Sequence, residues 1–297
     1  MKTRFLSAIV VFLLLAAPVA CRAWGPEGHM VVAMIAEHYL TPEARHQVNQ
    51  ILGGDHLDDN RVANWPDFIR GNKSYDEIYP GNHAWHYIDI DIKTPAAKYA
   101  LPPDGNDVVD QVVRWQKELA EPTNTVERRR DALRFLVHFT ADVHQPLHCA
   151  FRDDDRGGNL LFLHSFHGDK FVIDEETARE RTLNLHKAWD EYLVYETISG
   201  LSFDEFAEML IHGIKAEDAA AWKTGAPKSW AWESHELAVA HAYRFTDGSP
   251  LPEADDGKPI DLTDANYIAG NVLVVREQLQ KAGVRLAMLI NDALHGP

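Results

Sequence analysis

Two His-x-x-x-Asp pairs, His138–Asp142 and His186–Asp190, bracket a third histidine, His148, and constrain this chain more than any other pattern in it. At i,i+4 spacing an imidazole and a carboxylate leave the same face of a helix. A neutral imidazole beside an ionised carboxylate is the donor set that borderline cations such as zinc accept. One such pair could be a capping or surface feature. Two pairs, with His148 beside the first, predict a metal site carried on helices.

Helical periodicity dominates the rest. Apolar residues recur at 3–4 spacing from Glu27 to Tyr39, and Thr41-Pro42-Glu43 opens a second helix with a cap and a proline at its first position. Residues 107–119, 126–144, 185–198, 203–214 and 265–294 read likewise. The one strand pattern is a short hairpin candidate, 159–165 followed by 170–173. Without a repeat, a low-complexity tract or a break in composition, the expectation is a single mainly α domain.

Residues 1–23 read as a secretory signal peptide: Lys2 and Arg4 precede the apolar run from Phe5 to Ala17, and Cys21-Arg22-Ala23 supplies small residues at the cleavage positions. The run falls short of the ~20 residues that span a bilayer. Acylation of Cys21 is the alternative, against which Pro18 argues. Cleavage after Ala23 leaves residues 24–297 as the catalytic domain, begins the mature chain at Trp24 and leaves Cys149 as its one cysteine, so no internal disulfide forms. The expected product is a secreted or periplasmic monomer with no stable membrane association. Loss of Lys2, Arg4 and Arg22 would move the net charge from −16 to −19. That argues against holding a polyanion on a basic surface, although bound dications would invert the sign of the field locally.

Three more segments offer ligands. Trp24-Gly25-Pro26-Glu27-Gly28-His29 opens the mature chain, where a free amine with a pKa near ~7.7–8.0 can deprotonate and chelate. Asp67 lies among bulky apolar groups in Trp65-Pro66-Asp67-Phe68, where an unpaired charge is costly. His83 and His86 fall in an aromatic stretch, and spacing alone does not choose between them. His144 is expected to satisfy a hydrogen bond at a helix end, and Asp153-Asp154-Asp155-Arg156 reads as a charged turn, with a subsidiary cation site as its alternative.

Taken in order, the Trp-Gly-x-x-Gly-His start, Trp65-Pro66-Asp67, Trp85-His86-Tyr87-Ile88-Asp89, His144-Gln145-Pro146-Leu147-His148, Gly157-Gly158-Asn159 and Asn184-Leu185-His186-x-x-Trp189-Asp190 resemble the S1/P1 nuclease family, zinc-dependent secreted enzymes related in fold to zinc phospholipases C. The resemblance implies a single-domain helical fold with a short β-hairpin and three zinc ions per chain. Asp67, His86, His138 and Asp142 would hold the first, His148, His186 and Asp190 the second, and Trp24, through its amine and carbonyl, with His29 and Asp142 the third. It selects His86 over His83 and makes Asp142 a bridge between two ions.

The same resemblance implies hydrolysis of single-stranded DNA and RNA to 5′-phosphorylated products by a metal-bound hydroxide, with 3′-nucleotidase activity on nucleotides. Asp89 would orient the attacking water, Arg70 would meet the phosphate, Tyr87 would stack on a base and Asn159 would bond its edge. As a departure from the family pattern, residues 174–181 read as an insertion beside His186. The rival readings are a zinc phospholipase C, which needs an apolar membrane-facing rim, and a non-catalytic secreted zinc-binding protein.

Overall fold

The computed structural model describes residues 24–165, 173–174, 179–180, 183–253, 259–262 and 265–295. The signal peptide expected over 1–23, residues 170–172 of the hairpin candidate and 175–178 and 181 of the insertion lie outside the described residues. Helices come in chain order as α1 (Pro26–Tyr39), α2 (Pro42–Leu52), short α3 (Asn60–Ala63), α4 (Trp65–Ile69) and α5 (Lys73–Ile78), then α6 (Val108–Ala120) and α7 (Val126–Asp142). After them, α8 (Leu185–Lys187) passes through a π-helical turn at Ala188–Tyr192 into α9 (Leu193–Ile198). The chain continues with α10 (Phe203–Gly213), α11 (Ala216–Trp222), α12 (Pro227–Leu237) and α13 (Ala265–Ala293).

Local chemistry sets the boundaries. Thr41 Oγ1 accepts from Ala44 N at 3.1 Å to start α2, and Gly53 ends it at φ +69°. Asp107 Oδ1 accepts from Val109 N and Asp110 N at 2.9 and 3.1 Å to start α6. Thr125 Oγ1 caps α7 from Arg128 N at 3.2 Å.

The last turns of α7 are buried all round, which makes it the central helix, packed by α6, α1, α13 and α4. One of its stripes builds an aromatic core. Phe135 stacks on Trp115 at 4.2 Å and lies 5.4 Å from Phe139, while Trp65, Tyr79 and Trp85 meet Phe135 edge-on. That packing fixes the rotation of α7 and therefore the direction of the adjoining stripe, His138 and Asp142. The long α13 lies along α1 so closely that a Cβ on Gly283 would fall 2.4 Å from Ile35 Cγ2.

The described strands form two short pairs. β1 (Leu163–Ser165) pairs in parallel with β4 (Ile260–Asp261), and β2 (Ile173–Asp174) pairs antiparallel with β3 (Arg179–Glu180). Leu163 and Ile260 are both buried, so β1 meets an apolar partner distant in sequence. Among the described residues no helix is long and apolar enough to cross a membrane.

Candidate metal centre

Six local structures deliver the candidate ligands to one place. The first turns of α1 supply His29, α4 supplies Asp67, and the turn after a 3-10 segment at Asn82–Ala84 supplies His86. The end of α7 gives His138 and Asp142, the 3-10 turn Pro146–Cys149 gives His148, and α8 with its π-helical continuation gives His186 and Asp190. All are buried except Asp67, which is partly buried. They form three groups whose ligand atoms lie within 4.8 Å of one another: His29, His138 and Asp142; Asp67, His86 and His138; His148, His186 and Asp190.

Asp142 sits between them. Its Oδ1 is 3.1 Å from His29 Nε2 and 3.9 Å from His148 Nδ1, and its Oδ2 is 3.1 Å from His86 Nδ1 and 3.5 Å from His138 Nε2. Asp67 Oδ1 approaches the same pair of rings at 3.8 and 3.7 Å. In the other group, Asp190 Oδ2 is 3.3 Å from His186 Nε2 and Oδ1 is 3.7 Å from His148 Nε2.

Three of the rings are oriented by carbonyls. His138 Nδ1 donates to Ala63 O at 2.8 Å, His148 Nδ1 to His86 O at 2.7 Å and His186 Nδ1 to Gly157 O at 2.7 Å. With Nδ1 carrying the proton, Nε2 presents a lone pair inward. Two such lone pairs, on His148 and His186, face each other across 3.2 Å. They repel unless a cation lies with them. A proton is a poor candidate: burial drives His148 down to about 3, outweighing the pull of Asp142, and drives His86 and His138 well below the usual histidine range. His29 is lowered for the same reason. Burial also raises Asp142 well above the carboxylate range and Asp190 to about 6. Neutral imidazoles and reluctant carboxylates packed together fit a dication, whose charge would return both aspartates to their ionised form.

The first segment is tied to the cluster from outside. The indole of buried Trp24 donates to Ala141 O at 2.9 Å, and Gly25 N donates to Asp190 O at 2.7 Å. A Cβ at residue 28 would lie 2.8 Å from Trp24 Cβ, which is why glycine stands there. His86 is buried in the cluster, whereas His83, its alternative by spacing, is exposed.

Arg70 donates to His83 O at 3.0 Å, and its charge disfavours protonation of His86, His138 and His148. Tyr87 is partly buried, its carbonyl accepting from Val108 N. Asp89 lines a cleft with Phe151, Asp154, Arg156 and Leu160, its carboxyl raised by partial burial and then by Asp155. Asn159 steadies its own turn, Nδ2 donating to Arg156 O at 2.8 Å. His144 stays out of the cluster as expected, between Thr140 O at 2.7 Å and Arg285 Nη1 at 2.9 Å. In the charged turn, Asp153 pairs with Lys93 at 2.6 Å and buried Asp155 Oδ1 accepts from Arg152 N and the Tyr243 hydroxyl.

Sequence reasoning missed Gln145. Its Oε1 accepts from Leu147 N while its Nε2 donates to Asp190 Oδ1, both at 2.5 Å, so one buried side chain caps the turn bearing His148 and orients Asp190. A glutamine directly before Pro146 was the signal that could have pointed to it.

Fold and cluster together define the class: a helical hydrolase with three buried His/Asp groups able to hold metal ions. The family model for S1/P1 nuclease matches residues 24–295, and the chain belongs to that family; it is a nuclease. It is 28% identical to Endonuclease 4 of Arabidopsis thaliana, over 90% of this chain and 88% of that one. It is 25% identical to Nuclease P1 of Penicillium citrinum, over 92% and 98%, and 27% identical to Nuclease S1 of Aspergillus oryzae, over 89% of each.

Proposed function

We propose that the chain is an exported, monomeric tri-zinc endonuclease that cleaves single-stranded DNA and RNA to 5′-phosphorylated products and also acts as a 3′-nucleotidase. The observation that carries the reading is the pair of buried imidazole lone pairs 3.2 Å apart, flanked by Asp190 and linked through His148 to Asp142. Asp67, His86, His138 and Asp142 would hold one zinc, His148, His186 and Asp190 the second, and the Trp24 amine and carbonyl with His29 and Asp142 the third. Bound zinc supplies Lewis acidity, lowering the pKa of water toward neutrality and offsetting charge on phosphoryl oxygens.

The side chains around the cluster do the rest. Arg70 holds a non-bridging phosphate oxygen, a role its guanidinium suits by geometry and permanent charge. Asp89 orients the attacking water by accepting its hydrogen bond. Tyr87 stacks on a base and Asn159 bonds a base edge once its turn admits the substrate. Because a stacked base must be splayed out, single strands are the substrate and paired bases are excluded. The net charge of −16 makes the zinc ions and Arg70, rather than a basic surface, the attraction for phosphate.

The test is hydrolysis of single-stranded DNA, RNA and phosphatidylcholine by metal-quantified protein beginning at Trp24, beside a chelated sample and Asp142→Asn. Cleavage of both nucleic acids, lost in both controls, is the expected result. Lipid cleavage alone would transfer the reading to a phospholipase, and bound zinc without turnover would reduce it to metal binding.

A further inference from the structure

The ligand groups form an elongated array. Asp67 stands at one end, beside His86 and His138; Asp142 is central; His186 and Asp190 close the other end. Near each end, along the chain, stands an exposed apolar residue. Three positions after Gly157, whose carbonyl holds the His186 ring, is Leu160, in the cleft with Asp89 and Phe151. At the opposite end Phe68 follows Asp67 directly and lies two residues before Arg70. Phe68 is 52% exposed although Pro66 and Ile69 of the same short helix are buried, so its neighbours anchor the helix while Phe68 faces solvent.

Exposing a ring of that size forgoes stabilisation of roughly 25 cal/mol for every Å² of apolar surface left in water. Among the described residues the other exposed aromatics, Phe162 and Tyr195, are less exposed at 36% and 39% and neither adjoins a candidate ligand in sequence, while Leu160, beside Asn159, and Leu273 on α13 are aliphatic. Charge points the same way. An acidic chain that handles a polyanion gains little from its surface charge, whereas stacking on an aromatic face works without it and tolerates any base.

We infer that Phe68 is a stacking platform for a nucleobase of the single-stranded substrate lying outside the scissile position, making this chain favour longer strands over dinucleotides. The inference rests on the single-strand nuclease reading above. It assigns Phe68 to substrate selection rather than to the chemical step.

The experiment compares the metal-loaded wild type with Phe68→Ala, Phe68→Trp and the distant control Leu273→Ala. Each is assayed on a dinucleotide and on an oligonucleotide of about twenty nucleotides, with kcat and KM separated and melting temperature recorded. Binding of a phosphorothioate strand of the same length is measured in parallel. The Phe68→Ala variant should raise KM on the long strand at least about fivefold more than on the dinucleotide, the low end of a lost base–aromatic stack. It should weaken phosphorothioate binding to match. Phe68→Trp should restore both, and Leu273→Ala should move neither. Equal effects of Phe68→Ala on the two substrates, or none, overturn the inference. A wild type that cleaves neither substrate would sink the nuclease reading instead, and the phosphorothioate binding ratio alone would then decide the role of Phe68.

Discussion

Helix α13 contains two glycines whose replacement by alanine should have opposite effects. In a helix interior, alanine is better than glycine by about 0.5–1 kcal/mol. At Gly270 nothing lies within 4 Å of the added Cβ, so Gly270→Ala should gain that amount and raise the melting temperature by about 1–4 °C. At Gly283 the same methyl would lie 2.4 Å from Ile35 Cγ2, 2.5 Å from Ile35 Cβ and 3.1 Å from Val32 O. Carbon atoms rest about 3.5–4.0 Å apart, and a clash with Cβ itself cannot be relieved by rotating χ1, so α1 and α13 must separate. Overpacking of this kind costs about 1–3 kcal/mol, which exceeds the propensity gain and leaves Gly283→Ala destabilised by about 0.5–2 kcal/mol. Because α1 also carries His29, the variant should retain less metal after dialysis than Gly270→Ala does. Urea unfolding of both variants, metal-free and metal-loaded, measures the free energies, and metal analysis the occupancy. If Gly283→Ala proves as stabilising as Gly270→Ala, α1 and α13 do not meet as closely as the contact between Gly283 and Ile35 requires.

Chelation should lower the melting temperature as well as the activity, because binding energy at a site built from six separate local structures is also folding energy; equal melting curves after confirmed metal removal would contradict this. Gln145→Leu removes the donor to Asp190 Oδ1 and should weaken metal affinity by about 10–100-fold, read by competition with a zinc indicator. Asp107, raised to about 6 by burial, gives the fold a contribution that is complete below the ordinary aspartate pKa and is lost as pH rises from there through about 6. Asp107→Asn keeps a capping oxygen for α6 without the charge, so it should raise the melting temperature at pH 8 and leave it nearly unchanged at pH 4. A larger gain at pH 4 would refute that sign.

Much of the architecture was legible because caps and periodicity act locally. Thr41, Asp107 and Thr125 each start a helix where the side chain predicts, and α1, α6, α10 and α13 end within a residue or two of their apolar patterns. Helices as short as Asn60–Ala63 and Trp65–Ile69 contain too few turns for periodicity to register. The span 185–198 reads as one helix, but the π-helical turn at Ala188–Tyr192 leaves no mark in composition. The parallel pairing of Leu163 with Ile260 depends on burial between distant segments. At the site, the two His-x-x-x-Asp pairs were visible as patterns, whereas the burial of His86 beside an exposed His83 and the double duty of Gln145 exist only once tertiary packing sets their directions.

The anchoring of Trp24 has a consequence for the order in which the molecule is made. Its indole bonds to a carbonyl 117 positions later, and the next residue bonds to the backbone of Asp190. Synthesised from the amino end, this opening segment emerges long before anything it can hold. The cluster therefore cannot mature in step with the growing chain: its earliest-made piece must wait for Asp190 and closes the site late.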